Sequence, residues 1–443
     1  MKKTSLWVVI LTLILPATVH AQYLRNSYFM EGSSTRMQLN PALQPRRGYI
    51  NLPVIGSLNA EVSTNSLGSQ DVIDMFDEDG EYYKSTEFIN KLKDNNQLNV
   101  SLNTDVISFG FHKGKGFWSF NVGARVDVDA EIPKTMFEFM RAADTFGEDF
   151  EPGYNEKYTV ANENLRLNAY TEVGLGYSRI INDRLTIGAK AKLLLGWANL
   201  DLKVNKLHID AYVPNDVIAD YAEAKADIET DVEMKLSGKG ISLSEDEDGV
   251  IDDVEFDKFG IGGYGGAIDL GFSYAVTKHF NISASVLDLG FIKWGKENTI
   301  TAKNDQEVHV DYLSDVEVLD FDLYELQQGE ESKARTTKLS PMLVVGGEYN
   351  LLNNKIGFGL LSTTRFGQLK TYSELTASAT FRPNTLINAT VSYSMLQGSD
   401  TFGVALKLGP LMLGTDYMYL GNNTKHVNAF VGLSIPLGKK KNS

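Results

Sequence analysis

Three glycines within FGIGGYGGAIDLGFSY (residues 259–274) have the spacing of a dinucleotide-binding turn: Gly260, Gly262 and Gly265. Such a turn needs a buried apolar strand before the glycines and a helix after them. Here the preceding residues are the acidic DEDGVIDDVEFDK, and the following residues alternate between apolar and small or polar types. The sequence therefore predicts a glycine-containing strand here and not an NAD site.

The acidic stretch SEDEDGVIDDVE (residues 244–255) matches the twelve-residue calcium loop at most positions. Asp246 and Asp248 occupy the third and fifth positions, and Glu255 occupies the twelfth, where a glutamate can bind calcium with both oxygens. A serine replaces the aspartate expected at the first position. Two alternatives remain: a calcium site that uses these three carboxylates, or a solvated acidic loop. We expect no other cofactor.

Catalytic chemistry has little support in the sequence. The chain contains six histidines, and no motif pairs one of them with a nucleophilic serine or aspartate. We therefore expect no enzyme. The formal net charge of −15 also argues against nucleic acid as a partner.

An apolar stripe marks KTMFEFMRAADTF (residues 134–146) as a helix. Met136, Phe139 and Met140 recur at helical spacing, with Phe137 beside them. These four residues could receive apolar ligands, or the stripe could simply be buried against the rest of the fold. A second helix is predicted over residues 214–228, capped by Asn215.

The N-terminus indicates export from the cytoplasm. Two lysines precede an apolar stretch from Leu6 to Leu15, and Val19-His20-Ala21 is a small-x-small cleavage site. Residues 1–21 are therefore predicted to be a signal peptide. The remaining chain contains no cysteine and no run of eighteen apolar residues, so we expect neither disulfides nor transmembrane helices.

Strict alternation of apolar and polar residues dominates the remaining sequence and predicts about fourteen strands. Several alternating segments exceed ten residues, which is long enough to cross a bilayer at a tilt. The predicted strands begin near Gly48, Leu98, Gly116, Leu165, Arg184, Gly260, Phe280, Arg335, Asn354, Lys370, Leu386, Thr401, Leu411 and Lys425.

The predicted connections alternate between tight turns and long loops. The first, third, fifth and seventh connections are long, near residues 59–97, 132–164, 206–259 and 297–334, whereas the even-numbered ones are short. This asymmetry is typical of an outer-membrane β-barrel, and a soluble sandwich or propeller does not predict it. We expect an all-β, antiparallel transmembrane barrel over residues 48–438, a tail over 439–443, lipid around the barrel and both termini in the periplasm.

Charged residues on the predicted inward faces are candidates for lining the lumen. They could border a wet route, or they could fill the interior with ion pairs. They are Glu172, Lys190, Lys192, Asp269, Arg382 and Lys407.

The motif Asn40-Pro41-Ala42, in MQLNPALQP before the first predicted strand, resembles the long-chain fatty acid outer-membrane transporter family, called FadL-like. The order LNPALQP, GGAIDLGFSY and SASVLDLGFIKW is similar to that of FadL-like barrels of Bacteroidetes. The resemblance implies that residues 22–47 form a periplasmic plug segment inside the barrel. It also implies that apolar substrates bind between the loops and the lumen.

Two functions follow as hypotheses. The preferred one is passive transport of small hydrophobic molecules, with the 134–146 helix capturing ligand and displacement of residues 22–47 opening the route. The alternative is a structural or assembly component of surface machinery, since the barrel more distantly resembles PorP/SprF-type proteins of gliding and type IX secretion. In that case a stable protein partner is expected.

Overall fold

A computed structural model describes most of the chain between residues 24 and 438. The predicted signal peptide and the tail lie outside this part, as do residues 22 and 23. The described residues are 24–52, 56–74, 82–143, 153, 155–215, 225–245, 251–310, 326–329, 332–384, 386–396, 399–418 and 424–438.

Twenty-one strands are described. In chain order they are β1 (Gly48–Asn51), β2 (Leu58–Thr64), β3 (Asn95–Lys113), β4 (Gly116–Pro133), β5 (Asn155–Val160), β6 (Glu163–Ile180), β7 (Leu185–Tyr212), β8 (Lys225–Glu245), β9 (Ile251–Gly260), β10 (Gly263–Ala275), β11 (Phe280–Trp294), β12 (Thr299–Val310), β13 (Gln327–Gln328), β14 (Arg335–Lys338), β15 (Met342–Leu351), β16 (Ile356–Phe366), β17 (Thr371–Phe381), β18 (Ile387–Leu396), β19 (Ser399–Leu408), β20 (Leu411–Thr415) and β21 (His426–Leu437).

The helices are short. They are α1 (Arg36–Leu39), α2 (Ser69–Asp74), α3 (Thr86–Lys91) and α4 (Lys134–Ala143), with single 3₁₀ turns at Arg25–Ser27, Tyr82–Lys84 and Lys296–Asn298. Among the described residues, no helix is long and apolar enough to cross a membrane.

Fourteen strand positions close into an antiparallel barrel, which confirms the predicted fold class. β1 and β2 share the first position, because both pair with β3 on one side and with β21 on the other. The circle then runs through β3, β4, β6, β7, β10, β11 and β15 to β21 in sequence order. Each observed barrel strand except β15 begins within about three residues of its predicted start. β15 begins at Met342, and the start predicted near Arg335 is that of the short strand β14.

Side chains sort by face along the barrel strands. Large apolar side chains such as Leu175, Leu193 and Phe358 are exposed on the outside, whereas Glu172, Thr376 and Asn388 are buried inside. This distribution fits a lipid-facing exterior, and closure removes the free sheet edge that a bilayer cannot hydrogen-bond.

The predicted long loops contain strands of their own. β7 runs past the barrel to Tyr212, and its upper part pairs with β8, which in turn pairs with β12. We call β5, β8, β12 and residues 198–212 of β7 the loop-side sheet. The helix predicted over 214–228 is wrong at residues 225–228, which begin β8, while residues 216–224 lie outside the described part.

An apolar core lies on one face of this sheet, where the chain has left the lipid band. It includes Leu202, Leu207 and Ile209 of β7, together with Val232 and Met234 of β8. Burial of such side chains stabilises a fold by about 1.5–3 kcal/mol each. The loop-side sheet is therefore stabilised by its own apolar core, as a water-exposed domain is.

Candidate functional site

The lumen contains the chain's own N-terminal residues. We call residues 24–47 the N-terminal segment. The Tyr28 and Phe29 rings lie against two wall glycines, because a Cβ built at Gly346 would be 2.6 Å from Tyr28 and one at Gly359 would be 2.3 Å from Phe29. Glycine at these positions lets the segment approach the backbone of β15 and β16.

The Asn-Pro-Ala motif anchors this segment to the barrel wall. Asn40 is fully buried, and its amide donates to the carbonyls of Phe272 in β10 and Ala284 in β11, at 3.1 and 3.2 Å. A Cβ at Gly271 would be 2.2 Å from the Asn40 Oδ1 atom, and one at Gly188 would be 2.4 Å from the Pro41 carbonyl carbon. The motif and these strand glycines therefore form one contact between segment and wall.

Arg25 fixes the start of the segment inside the barrel. Its Nε atom lies 2.7 Å from Glu374, its Nη1 atom lies 3.4 Å from Glu61, and Asp416 is 3.8 Å away. Asp416 also accepts hydrogen bonds from the backbone N–H groups of Arg25 and Asn26, at 2.7 and 2.8 Å. Sequence inspection missed this cluster because its members are spread over about 390 positions.

Four of the predicted lumen residues meet in a second ion cluster. Lys192 contacts Asp269 at 2.8 Å and Glu172 at 3.6 Å, and Lys190 contacts Glu172 at 2.7 Å. Two partners were not predicted. Arg125 lies 3.3 Å from Glu172, and Asp288 lies 2.6 Å from Lys192. These side chains fill this part of the interior with paired charge.

Asp288 reaches the cluster through a local irregularity. Its φ is +58°, and the β10–β11 register shifts between Ile268 and Leu270. The bulge lets Asp269 accept a hydrogen bond from the Asp288 backbone N–H at 2.8 Å. No sequence pattern indicated this bulge.

The other two predicted lumen residues are also buried. Arg382 donates to Glu348 at 2.7 Å and to the carbonyl of Phe29 at 2.6 Å, so it ties the N-terminal segment to the wall. Lys407 donates to the carbonyl of Gly409 at 2.7 Å, at the short-turn end of the barrel.

Cavities lie on both sides of the N-terminal segment. The larger, of about 600 Å³, is at the short-turn end and is lined by Tyr28, Arg36 and Leu43 of the segment. A smaller cavity of about 70 Å³ is on the loop side and is lined by Arg25 and Tyr372. The segment separates the two.

The predicted apolar helix is α4, and the described part ends at Ala143, so residues 144–146 lie outside it. Met136 and Phe139 are buried in the core of the loop-side sheet, and Phe137 packs on Phe88 of α3. The Met140 side chain lies outside the described part. Met136, Phe137 and Phe139 are thus packed within the protein, and a ligand role for the four residues stays a prediction.

The calcium hypothesis falls largely outside the described residues, because Asp246 and Asp248 are not among them. Glu255 is exposed on β9, opposite Ser242 of β8. Within the part of the chain that the structure describes, no group of three His, Asp or Glu side chains is placed to hold a metal. Calcium binding here stays a prediction.

The closed barrel, its apolar exterior and its polar, segment-filled lumen define an outer-membrane β-barrel protein. A family model described as "Family of unknown function (DUF5723)" matches residues 41–416. The chain belongs to this family.

Solved structures with similar folds include barrels of the FadL family. The toluene transporter TbuX of Ralstonia pickettii is 11% identical, with a TM-score of 0.42 over 93% of this chain and 97% of that one. The toluene transporter TodX of P. putida is 11% identical, with a TM-score of 0.38 over 96% and 97%. A Pseudomonas aeruginosa FadL homologue is 8% identical, with a TM-score of 0.31 over 95% and 97%. None of the curated proteins compared with the chain matches it.

Proposed function

We propose that this protein lets small hydrophobic molecules cross the outer membrane passively, with both termini in the periplasm and the N-terminal segment as the plug. The observation that carries the proposal is the position of this segment between the two cavities. It is not part of the barrel ladder, so it can move without breaking the strand pairing that closes the wall.

The loop-side cavity has surfaces suited to a small apolar molecule. Met342, Tyr372 and Leu396 contribute apolar atoms, and Arg25 with Glu374 forms part of the lining. A ligand that passes further has to displace the Arg25 ion cluster. We therefore expect transport to be slow unless the segment shifts, and we expect it to need no energy source.

A disulfide can test whether movement of the segment opens the route. The Oγ atoms of Ser34, in the segment, and Ser434, in β21, lie 3.2 Å apart. Cysteines here would be close to disulfide geometry. Since the chain contains no cysteine, the double variant Ser34→Cys/Ser434→Cys would form only this bond.

The experiment measures uptake of an aromatic hydrocarbon by vesicles that contain the purified protein. We expect oxidation of the double variant to lower the uptake rate at least tenfold, and we expect a reducing agent to restore the rate. The single variants Ser34→Cys and Ser434→Cys are the matched controls. Equal rates for the oxidised and reduced double variant would show that the segment does not gate the route, and no uptake above empty vesicles by the unlocked protein would exclude the function itself.

The alternative function, a structural component of surface or secretion machinery, gains no support from the comparisons. A capture role for α4 would require Phe137 and Phe139 to leave the clusters in which they are buried. Deletion of the apolar side chains of α4 would test that role in the same uptake assay.

A further inference from the structure

The cavity at the short-turn end holds a buried charge that forms no direct ion pair within the described residues. Arg36, the first residue of α1, lines this cavity and is only 8% exposed. Its Nε atom is buried without a hydrogen-bond acceptor, and no side chain of the described residues forms an ion pair with its guanidinium. Buried guanidinium groups are normally matched by an anion.

The nearby carboxylates are already engaged by other arginines. Glu31 forms a close ion pair with Arg46, and Glu348 pairs with Arg382 at 2.7 Å. Both carboxylates line the same cavity as Arg36. Glu31 and Glu348 therefore act on Arg36 only at longer range, and three arginines share two carboxylates in this group, which leaves a net positive charge beside the cavity.

A second donor lines the same cavity as Arg36. The Nε2 atom of Gln44 is buried and has no hydrogen-bond partner. A planar guanidinium and an amide N–H are both suited to the oxygens of a carboxylate or phosphate. On the same lining, Tyr28, Phe29 and Leu43 supply apolar surface.

We propose that this cavity binds a small organic anion that enters from the short-turn end, with its carboxylate or phosphate group on Arg36 and Gln44. The volume of about 600 Å³ lies within the range of small-molecule sites. The apolar body of the ligand would contact Tyr28 and Leu43. The proposal does not depend on passage through the barrel, because the site is on one side of the N-terminal segment.

Calorimetry on the folded protein in detergent tests the site with two probes, 4-bromobenzoate and inorganic phosphate. We expect one saturable site for at least one probe, and the stronger binder identifies the anionic group. Arg36→Gln should weaken binding at least tenfold. Arg36→Lys, which keeps the charge but loses the planar fork, should weaken it less.

The matched control is Lys113→Gln, which removes one positive charge from an exposed position at the same end of the barrel. We expect it to bind as the unmodified protein does. Equal loss in both variants would reduce the effect to general surface charge and overturn the proposal. Absence of saturable binding by both probes, or full binding by Arg36→Gln, would also overturn it.

Diffraction gives a second test that does not need a variant to fold. Crystals soaked in 4-bromobenzoate should show an anomalous bromine peak inside the cavity, with the carboxylate within hydrogen-bonding distance of Arg36. Bromine peaks only at other positions would contradict the assignment.

Discussion

The two halves of β7 have opposite polarity. In the barrel half, Leu193 is 52% exposed on the outside and Lys192 is buried inside. In the loop-side half, Leu202 is 2% exposed on the inner face, and the alternating position Lys203 is outside the core. The pattern reverses near Trp197, where the β6–β7 register shifts.

The reversal shows that the solvent outside the strand decides which face is apolar. Lipid surrounds the barrel half, so apolar side chains face outward and polar ones fill the lumen. Water surrounds the loop-side half, so apolar side chains turn inward and form a core. The single strand β7 therefore has the side-chain pattern of a membrane barrel in one half and that of a water-soluble sheet in the other.

The largest effect should come from removing Lys192, because it is the cation shared by Glu172, Asp269 and Asp288 in the buried cluster. Lys192→Met leaves these carboxylates without their shared cation and should lower the free energy of unfolding by about 3–5 kcal/mol. Lys203→Met, on the outer face of the same strand, should cost less than about 1 kcal/mol. Urea unfolding in lipid vesicles measures both, and equal losses would contradict the polarity reversal.

An apolar pair on β7 gives the next largest difference. Leu202→Ala should lower the free energy of unfolding of the loop-side sheet by about 2–5 kcal/mol, because it leaves a cavity in a packed core. Leu193→Ala faces lipid, which can fill the space, and should cost less than about 1 kcal/mol. Hydrogen exchange of the β7 and β8 amides reports the first loss separately from the barrel. A larger effect at Leu193 would show that the core is not well packed.

Glu163 should make the stability of the loop-side sheet depend on pH. It is the first residue of β6 and pairs with Val204 in the loop-side half of β7, and burial raises its pKa to about 7. Between its ordinary pKa and this value the folded state binds more protons than the unfolded state. Stability therefore falls as pH rises from about 4.5 to 7, by on the order of 2–3 kcal/mol.

Glu163→Gln should remove this dependence and stabilise the sheet at pH 8. Pulse proteolysis at pH 5 and pH 8 compares the variant with the unmodified protein. A fall in stability of the same size in both would assign the pH dependence to other groups.

The smallest effect is expected from an ion pair on the wet side of the loop-side sheet. Lys235 and Glu233 lie 3.0 Å apart, and both side chains are nearly half exposed. Glu233→Gln should change the free energy of unfolding by less than about 1 kcal/mol, since water already solvates both charges. Comparison of this loss of stability with that of Lys192→Met shows how much an ion pair contributes at the surface and in the lumen. A loss as large as that of Lys192→Met would show that this surface is not open to solvent.

Alternation and turn length were sufficient to predict the barrel. Each strand must present one face to lipid, so its period of two is strong, as in Ile387 to Met395. The loop-side strands were missed for two reasons. β8 pairs with β12 over a separation of about 70 residues, which leaves no local signal. The acidic and polar residues between these strands are also typical of solvated loops. The helix α4 was predicted because its apolar stripe is local.

The interior was predicted only in part. Inward positions such as Lys190 and Lys192 follow from alternation alone, but their partners do not. Asp288 contacts the cluster because of a bulge, and Arg25 contacts Asp416, which lies near the opposite end of the chain. Long-range pairs of this kind leave no signal in the spacing of a single sequence.

The enclosed N-terminal segment also restricts the order of assembly. The barrel is sealed by the pairing of Gly48 with Leu437 and of its neighbours along β1 and β21. Once that seam has formed, Tyr28, Phe29 and the Asn40 anchor can reach their wall glycines only by entering through one end of the barrel. We therefore expect residues 24–47 to pack against the wall before β21 pairs with β1, so that closing the seam encloses them.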